Sequence, residues 1–164
     1  MQLKGKRIIV TGSARGMGAA TLRAYVREGA HVIGMDVTDD TGAKVSDEAA
    51  KLAPGKAGYM QVDVSEKSSV ESAFAKAVAA MGGLDVLAHP AAIQRASNAG
   101  DVTVEDWDLM FAVNVRGTML TNQIAARYMK DSGGGSIINI GSTSSFMGTP
   151  LRSSYSASKW SLIG

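Results

Sequence analysis

Short apolar runs alternate along this chain with longer segments whose apolar residues recur at helical spacing. The first run, Arg-Ile-Ile-Val at 7–10, is continuous, as in strands that are buried on both faces. Similar runs at 31–35, 58–62, 84–88 and 136–140 predict four more strands. Helices are predicted near 19–28, 42–52, 65–80 and 103–130, and another is predicted to begin near Ser154. This strict alternation predicts one doubly wound α/β domain over residues 1–164, a Rossmann fold with a parallel sheet.

Capping and helix-breaking residues locate several of the predicted ends. Ser65 is predicted to be the N-cap of the third helix, and Pro90 ends the fourth strand. The long helix is predicted to start at a cap formed by Asp101 or Thr103. Gly117 marks an expected break inside it.

The composition narrows the class of protein. A formal net charge of +2, with scattered Lys and Arg, argues against a nucleic-acid or acidic-membrane partner. No apolar run approaches the ~18 residues of a membrane span, and the N-terminus lacks the apolar stretch of a signal peptide. The chain contains no cysteine, which excludes disulfides, thiolate metal sites and a cysteine nucleophile. We therefore expect a cytoplasmic protein without a metal site.

A glycine-rich turn lies between the first strand and the first helix, where residues 11–18 read T-G-S-A-R-G-M-G. Glycines at this place permit a tight turn and a close approach of the backbone to a pyrophosphate, while the helix N-terminus offers free N–H groups. A glycine cluster alone also forms ordinary turns. Its position after a buried strand and before a helix favours dinucleotide binding.

Asp36 bears on the choice of dinucleotide. It ends the second strand, 18 residues beyond Gly18, where a carboxylate binds the ribose hydroxyls of NAD and repels the 2′-phosphate of NADP. Arg15 is contrary evidence, because a cation beside the turn could accept that phosphate. The alternative is that Asp36 only begins a polar turn with Asp39 and Asp40. We expect NAD, with NADP the less favoured cofactor.

Tyr155 and Lys159 are four residues apart, which places them on one face of a helix. A nearby ammonium favours the phenolate form of a tyrosine, so Tyr155 could remove or return the proton of a hydroxyl group. Such a pair alone is often only an exposed helical face. Ser142, at the end of the fifth strand and 13 residues before Tyr155, supports a catalytic site, although the serines near it would also suit a polar loop.

Taken together, these motifs resemble the classical, NAD-preferring branch of the short-chain dehydrogenase/reductase family. The resemblance covers essentially every residue and rests on ordered motifs at matching separations. They are T-G-S-A-R-G-M-G at 11–18, Asp36, Asp63-Val64, N-V-R-G at 114–117, Ser142 and Y-S-A-S-K at 155–159.

The resemblance implies a role for each matching position. Tyr155 would be the acid/base group, Lys159 would bind the nicotinamide ribose and tune Tyr155, and Ser142 would hold the substrate oxygen. Asn114 would sustain a water-linked proton relay, whereas read alone it would be a helix-interior asparagine bonding its own backbone. The cofactor-binding positions would be Gly12, Gly16 and Gly18 at the pyrophosphate, Asp36 at the adenosine ribose, Asp63 and Val64 at the adenine, and also Ser13, Arg15, Met17, Ala91, Tyr155 and Lys159.

One departure from the family lies after the fourth strand. The family usually carries N-N-A-G there, and this chain has H-P-A-A at 89–92. The loss of two amide side chains predicts weaker cofactor binding. His89 could be a base or a ligand, but we expect a solvated or backbone-bonded loop histidine.

A second departure is length. Family members normally continue to roughly 250 residues through two more strands and a substrate lid. By resemblance the strand order would be 3-2-1-4-5, and without those C-terminal strands the fifth strand would be an exposed edge. We therefore expect the natural protein to be longer and to form a homo-oligomer, because a chain ending at Gly164 would not be a stable, active monomer.

Two functions remain at this stage. The first is an oxidoreductase that interconverts a small-molecule secondary alcohol and a ketone with NAD. The second is a nucleotide-binding or interaction module without turnover, suggested by the altered 89–92 segment and the length. The substrate is not assigned: segments around Met147 and Trp160 are similar to those of bacterial hydroxysteroid dehydrogenases, but sugar dehydrogenases and ketoacyl reductases share much of the pattern.

Overall fold

Five parallel strands form one sheet in the order β3-β2-β1-β4-β5 in the computed structural model, which describes residues 1–52 and 54–164. The strands are β1 (Arg7–Thr11), β2 (His31–Asp36), β3 (Lys56–Gln61), β4 (Val86–His89) and β5 (Ser136–Asn139). Every neighbouring pair is parallel. The predicted doubly wound fold and the predicted strand order are both confirmed.

Helices connect the strands and cover the sheet. They are α1 (Gly16–Arg27), α2 (Asp39–Ala50), α3 (Lys67–Met81), α4 (Val104–Phe111), α5 (Gly117–Asp131) and α6 (Ser153–Trp160). A π-helical turn (Ala112–Arg116) joins α4 to α5, and a 3₁₀ turn (Thr143–Ser145) follows β5. None of the helices in the described part of the chain is long and apolar enough to cross a membrane.

The continuous apolar run of β1 is explained by helices on both faces of the sheet. Ile9 belongs to a buried cluster formed with α3 and α5, whereas Ile8 and Val10 belong to a cluster formed with α1. All three side chains are fully buried. Because successive side chains of a strand point to opposite faces, only a strand that is covered twice needs apolar residues at every position.

Of the predicted helix N-caps, Thr103 is confirmed and Ser65 is not. Thr103 is the N-cap of α4, and its side-chain oxygen accepts a hydrogen bond of 3.1 Å from the Asp106 amide. The prediction for Ser65 was wrong, since α3 begins one residue later with Glu66 at its N-cap. The amide and the hydroxyl of Ser65 both donate to Asp63 Oδ1, at 2.9 and 2.7 Å. A nearer carboxylate therefore competes successfully with the helix terminus for this serine.

The expected break near Gly117 is the π-helical turn that ends one residue before it. Gly117 itself permits close packing, because a Cβ atom there would lie 3.0 Å from Val64 Cγ2. Such turns occur often at functional sites, since the wider backbone spacing shifts a side chain relative to a regular helix. Asn114 lies inside this turn and is buried.

β5 forms one edge of the described sheet, and most of its residues are exposed. The expectation of an exposed fifth strand therefore holds for this part of the chain. Ile138, on that strand, is 40% exposed.

Replacement of Phe74 by alanine should destabilise the fold. The side chain on α3 is fully buried in the larger core cluster, so the change removes its contacts and leaves a cavity. We expect a loss of about 3–5 kcal/mol in the free energy of unfolding, measured by urea denaturation. Phe146→Ala is the matched control, because Phe146 is 69% exposed and its truncation should change stability by about 0.5 kcal/mol or less. Equal effects of the two changes would contradict the assignment of the core.

Candidate active site

The candidate site residues lie at the carboxyl ends of the parallel strands. In the observed order, the chain proceeds from β1 outwards through β2 to β3 and then crosses back to β4 and β5. The connections after β1 and β4 therefore diverge and leave a crevice at their carboxyl ends. In open α/β sheets, ligands bind in such a crevice.

The glycine turn that follows β1 has the backbone geometry of a phosphate cradle. Gly12 has a φ of +60°, and a Cβ atom on it would lie 2.8 Å from Ala91 Cα. Gly16 has a φ of +53° with open space where a side chain would be. Arg15 is the N-cap of α1 and makes no side-chain capping bond, so it occupies none of the N–H groups that α1 presents at its start. These N–H groups are suited to an anion.

The other predicted residues of the turn differ in exposure. Met17 is exposed at the start of α1, and Arg15 is exposed and makes no ion pair with the described residues. Ser13 is fully buried, and its amide donates to the carbonyl of Met35 at 3.2 Å. Through its backbone, Ser13 thus joins the turn to β2. Arg15 is exposed and forms no ion pair with the described residues, so its guanidinium group is available to bind a phosphate.

Asp36 is held in place by backbone groups on two sides. Its Oδ2 accepts from the Ala14 amide and its Oδ1 from the Thr38 amide, each at 3.0 Å. The carboxylate is therefore oriented between the glycine turn and the start of α2. A carboxylate oxygen can accept more than one hydrogen bond, so both oxygens can still receive ribose hydroxyls.

Tyr59 supports the segment between β2 and α2 that carries Asp36. The sequence pattern did not single out this residue. Its hydroxyl lies 2.9 Å from the carbonyl oxygen of Asp36 and 3.0 Å from that of Thr38, and can donate to either. Burial, followed by the charges of Asp36 and Asp39, raises the pKa of Tyr59 to about 12. The hydroxyl therefore remains a donor at neutral pH.

Asp63 and Val64 lie between β3 and α3. Oδ1 of Asp63 is occupied by the two hydrogen bonds from Ser65. The Val64 side chain is buried in the core against Gly117. Only the backbone of Val64 can therefore approach a ligand, whereas Asp63 retains a carboxylate oxygen for one.

Ser142 caps the 3₁₀ turn after β5. Its Oγ accepts from the Ser144 amide, and its own amide donates to Ser145 Oγ, each at 3.1 Å. Ser145 Oγ in turn donates to the carbonyl of Lys159 at 3.0 Å. These bonds fix Ser142 relative to α6 and leave its hydroxyl proton free to be donated.

Tyr155 and Lys159 lie on the same face of α6, as their spacing predicted. Lys159 Nζ is 6.0 Å from the centroid of the Tyr155 ring. Nζ also donates to the carbonyl of Ile140 at 2.7 Å, beside the end of β5. Lys159 is only 4% exposed, and burial lowers its pKa.

The side chain of Asn114 bonds to other segments of the chain rather than to its own helix. Its Nδ2 donates to the Ile93 carbonyl at 2.9 Å and to Ser158 Oγ at 3.0 Å, and its Oδ1 accepts from the Ile93 amide at 2.9 Å. Ser158 directly precedes Lys159 in α6. Asn114 therefore ties α6 to the loop between β4 and α4.

His89 contradicts the expectation of a solvated or backbone-bonded loop histidine. It is the last residue of β4 and is 3% exposed. Its Nδ1 lies 2.9 Å from Thr11 Oγ1 and 3.1 Å from Thr121 Oγ1. Burial, followed by the charge of Lys159, lowers the pKa of His89 to about 4. These contacts place the ring in the space between the sheet and α5.

The four predicted catalytic residues are brought together through intermediates. Ser145 joins Ser142 to α6, Ser158 joins Asn114 to α6, and Lys159 contacts the end of β5. No direct hydrogen bond joins the side chains of Ser142 and Tyr155 in the described part of the chain. Sequence reasoning missed Ser145, Ser158 and Tyr59, of which only Ser158 carried a signal, as part of Y-S-A-S-K.

No group of His, Asp or Glu side chains suited to a metal ion occurs among residues 1–52 and 54–164.

Comparison with known proteins agrees with this arrangement. A family model described as short chain dehydrogenase matches residues 6–164. A 3-alpha-(or 20-beta)-hydroxysteroid dehydrogenase of Mycobacterium tuberculosis is 37% identical over 163 residues, covering 99% of this chain and 61% of that protein. A 3-oxoacyl-[acyl-carrier-protein] reductase of Thermotoga maritima is 34% identical over 164 residues, covering 100% of this chain and 66% of that protein.

Solved structures show the same fold. Each matches nearly all of this chain, whereas this chain matches about two thirds of each solved chain. A short chain dehydrogenase from Mycobacterium smegmatis superposes with a TM-score of 0.95 at 30% identity, covering 99% of this chain and 68% of that one. A short-chain type dehydrogenase/reductase from Mycobacterium marinum gives 0.93 at 33% identity, covering 99% and 66%. The chain thus spans about 61% of the length of the hydroxysteroid dehydrogenases it matches. By its family match, its relatives and its fold, the chain belongs to the short-chain dehydrogenase family.

Proposed function

We propose that this chain carries the nucleotide-binding and catalytic portion of an NAD-dependent oxidoreductase that interconverts a secondary alcohol and a ketone. The observation that carries the proposal is the buried Lys159 beside Tyr155 on one face of α6, at the end of the strand that leads to Ser142. Some similar proteins are named for hydroxyl-bearing substrates, among them a D-threitol dehydrogenase and a sorbitol dehydrogenase.

The residues present fit a dinucleotide. The turn after β1 offers backbone N–H groups in open space at Gly16, and Asp36 is oriented by two amides at the position for a ribose. Gly12, Ser13, Arg15, Gly16, Met17 and Gly18 would hold the pyrophosphate, Asp63 and Val64 the adenine, and Ala91, Tyr155 and Lys159 the nicotinamide side. When bound, NAD would supply the acceptor for the hydride that leaves the alcohol carbon.

In this mechanism the chain supplies binding and proton transfer. Ser142 donates a hydrogen bond from its free hydroxyl to the substrate oxygen and orients it, while keeping its own proton. Tyr155 removes the hydroxyl proton during oxidation and returns it during reduction. The ammonium of Lys159 stabilises the negative charge that forms on Tyr155. Asn114 holds α6, and with it Tyr155, against the loop after β4, and we propose that it sustains a water-linked proton relay.

The NAD preference rests on Asp36. A 2′-phosphate would approach a carboxylate that two amides already fix in place, so the side chain could not turn away without losing both hydrogen bonds. Like-charge repulsion at this range disfavours NADP. Arg15 is exposed and is not held by an ion pair in the described part of the chain, so we weight it less.

A nucleotide-binding module without turnover is the second candidate, and the altered segment His89-Pro90-Ala91-Ala92 favours it. NADH fluorescence titration, run beside an activity screen over secondary alcohols, separates the two functions. Binding without turnover would support the module, and turnover of any alcohol would exclude it.

Replacement of Asp36 by alanine should erode the cofactor preference. With the repulsion removed, we expect the ratio of kcat/KM for NAD to that for NADP to fall by about tenfold or more, equivalent to ~1.4 kcal/mol. Steady-state kinetics with both cofactors measures this ratio. Asp40→Ala is the control, because Asp40 is exposed in the first turn of α2 and should leave the ratio unchanged. A parent protein that prefers NADP would refute the assignment.

Replacement of Tyr155 by phenylalanine should abolish turnover while cofactor binding persists. The change removes only the hydroxyl that exchanges the proton, and loss of an acid/base group costs on the order of 10²–10⁴ in rate. The measurements are kcat and the NADH dissociation constant. Tyr25→Phe, on α1, is the control and should leave both values near those of the parent. Activity of the Tyr155 variant within a few-fold of the parent would exclude Tyr155 from the mechanism.

A further inference from the structure

We propose that His89 is a positioning residue of the cofactor site, which holds the Thr11 hydroxyl as the acceptor for the Ala91 amide and so fixes the loop after β4 against the glycine turn. The functional part of this proposal rests on the proposed binding of a dinucleotide at that turn.

The position of His89 follows from strand pairing. β1 and β4 are parallel neighbours with Val10 opposite Ala88, so Thr11 and His89 come next on the two strands. The ring also meets α5, where Thr121 Oγ1 lies 3.1 Å from Nδ1, beside the 2.9 Å contact to Thr11 Oγ1. Both threonines are fully buried. The ring is thus enclosed between the sheet and α5.

The surrounding hydrogen bonds determine which ring nitrogen carries the proton. The Thr121 hydroxyl has acceptors in its own helix, the carbonyls of Gly117 at 2.9 Å and Thr118 at 3.1 Å. In the described part of the chain, the hydroxyl proton of Thr11 has no acceptor other than His89 Nδ1. Nδ1 is therefore unprotonated and Nε2 carries the hydrogen.

This assignment produces a directed chain of hydrogen bonds. The Ala91 amide donates to Thr11 Oγ1 at 3.3 Å, and the Thr11 hydroxyl donates to His89 Nδ1 at 2.9 Å. An acceptor at the position of Nδ1 orients the Thr11 hydroxyl so that its lone pair faces the Ala91 amide. Without that acceptor the hydroxyl could rotate and the amide would lose its partner.

The chain of bonds matters for the cofactor because Ala91 and the glycine turn are in direct contact. A Cβ atom on Gly12 would lie 2.8 Å from Ala91 Cα and 2.9 Å from its nitrogen. Gly12 follows Thr11 immediately. A displacement of Ala91 would therefore alter the turn in which the pyrophosphate is proposed to lie.

Nε2 of His89 is buried and has no partner among the described residues. An unpaired buried N–H group is unfavourable, so an apolar side chain would be better suited to this place if packing were its only purpose. The histidine supplies a hydrogen-bond acceptor, Nδ1, for the Thr11 hydroxyl. An apolar residue could not supply one.

The charged group that acts on the ring is Lys159 of α6, while β1 and α5 face it with threonine hydroxyls. Burial and this ammonium lower the pKa of His89 to about 4, so Nδ1 remains an acceptor at neutral pH. A histidine that exchanged protons with the substrate would instead titrate near neutrality.

The protonation of His89 can be read directly, since His31 is the chain's other histidine. Nitrogen-detected NMR of protein labelled in its histidine rings should show His89 with a protonated Nε2 and an unprotonated Nδ1 from pH 8 to pH 5.5. A proton on Nδ1, or titration of the ring between those limits, would overturn the proposal. His31→Asn assigns the two sets of signals.

Variants of His89 test the positioning role. In asparagine the oxygen on Cγ takes the place of Nδ1 and can accept from Thr11, whereas leucine has similar bulk and no acceptor. We expect His89→Leu to weaken NADH binding by about tenfold or more and His89→Asn by about threefold or less. His31→Leu, at the opposite end of the sheet, should leave NADH binding unchanged. Binding by His89→Leu within twofold of the parent would overturn the proposal.

Hydrogen exchange of the Ala91 amide provides a readout that does not depend on the cofactor. Exchange should be faster in His89→Leu and near the parental rate in His89→Asn. Failure of the parent to bind NADH would refute the proposed function alone, and the exchange and NMR results would still decide the role of His89. If His89→Leu does not fold, Thr11→Val replaces it, since loss of the acceptor should speed Ala91 exchange in the same way. Unchanged Ala91 exchange in a folded variant would overturn the proposal.

The stability of the protein should depend on pH through the same ring. The pKa of His89 is lowered to about 4 from the ordinary 6.5, so below pH 6.5 the unfolded chain binds a proton that the native protein does not. The stabilisation is complete above pH 6.5 and declines as the pH falls towards 4. Urea denaturation at pH 7.5 and pH 5 should therefore show a larger loss of midpoint for the parent than for His89→Asn. An equal loss in both proteins would contradict the buried, neutral ring.

Discussion

The double burial of β1 is the constraint on which the rest of this structure depends. Helices cover both faces of the strand, so the side chains of Ile8, Ile9 and Val10 make only apolar contacts. Polar chemistry is therefore confined to the ends of the strands. At the carboxyl ends the first backbone amides of α1 have no partner within the helix, and the candidate site residues lie at or after the ends of β2, β4 and β5.

Hydrogen bonds between the connecting segments then give this crevice a defined shape. Asn114 ties the loop after β4 to α6, and Ser145 ties the turn after β5 to the same helix. Both residues can affect the site by positioning α6, without contact with a substrate. Because α6 carries both Tyr155 and Lys159, its position relative to Ser142 decides whether the three groups can act on one oxygen atom.

Much of the architecture could be predicted from local pattern. Continuous apolar runs located the strands, and the glycine turn, Asp36 and the Tyr155–Lys159 spacing predicted a candidate site at the carboxyl end of the sheet, where these residues lie. What the sequence could not indicate were partners distant along the chain. Thr121 contacts His89 from 32 residues away, and nothing local in the sequence distinguishes a buried histidine from a loop histidine. Ser65 was misassigned for a different, local reason, since Asp63, two residues before it, competed with the helix terminus for its hydroxyl.

The burial of Lys159 bears most directly on the proposed mechanism. No carboxylate forms an ion pair with this ammonium in the described part of the chain, and the Ile140 carbonyl is its hydrogen-bond partner. A buried charge without a counterion is costly, as the lowered pKa of Lys159 shows. In the proposed mechanism, negative charge on the Tyr155 oxygen would offset that cost. The folded chain therefore already holds a positive charge beside the residue that is proposed to exchange the proton.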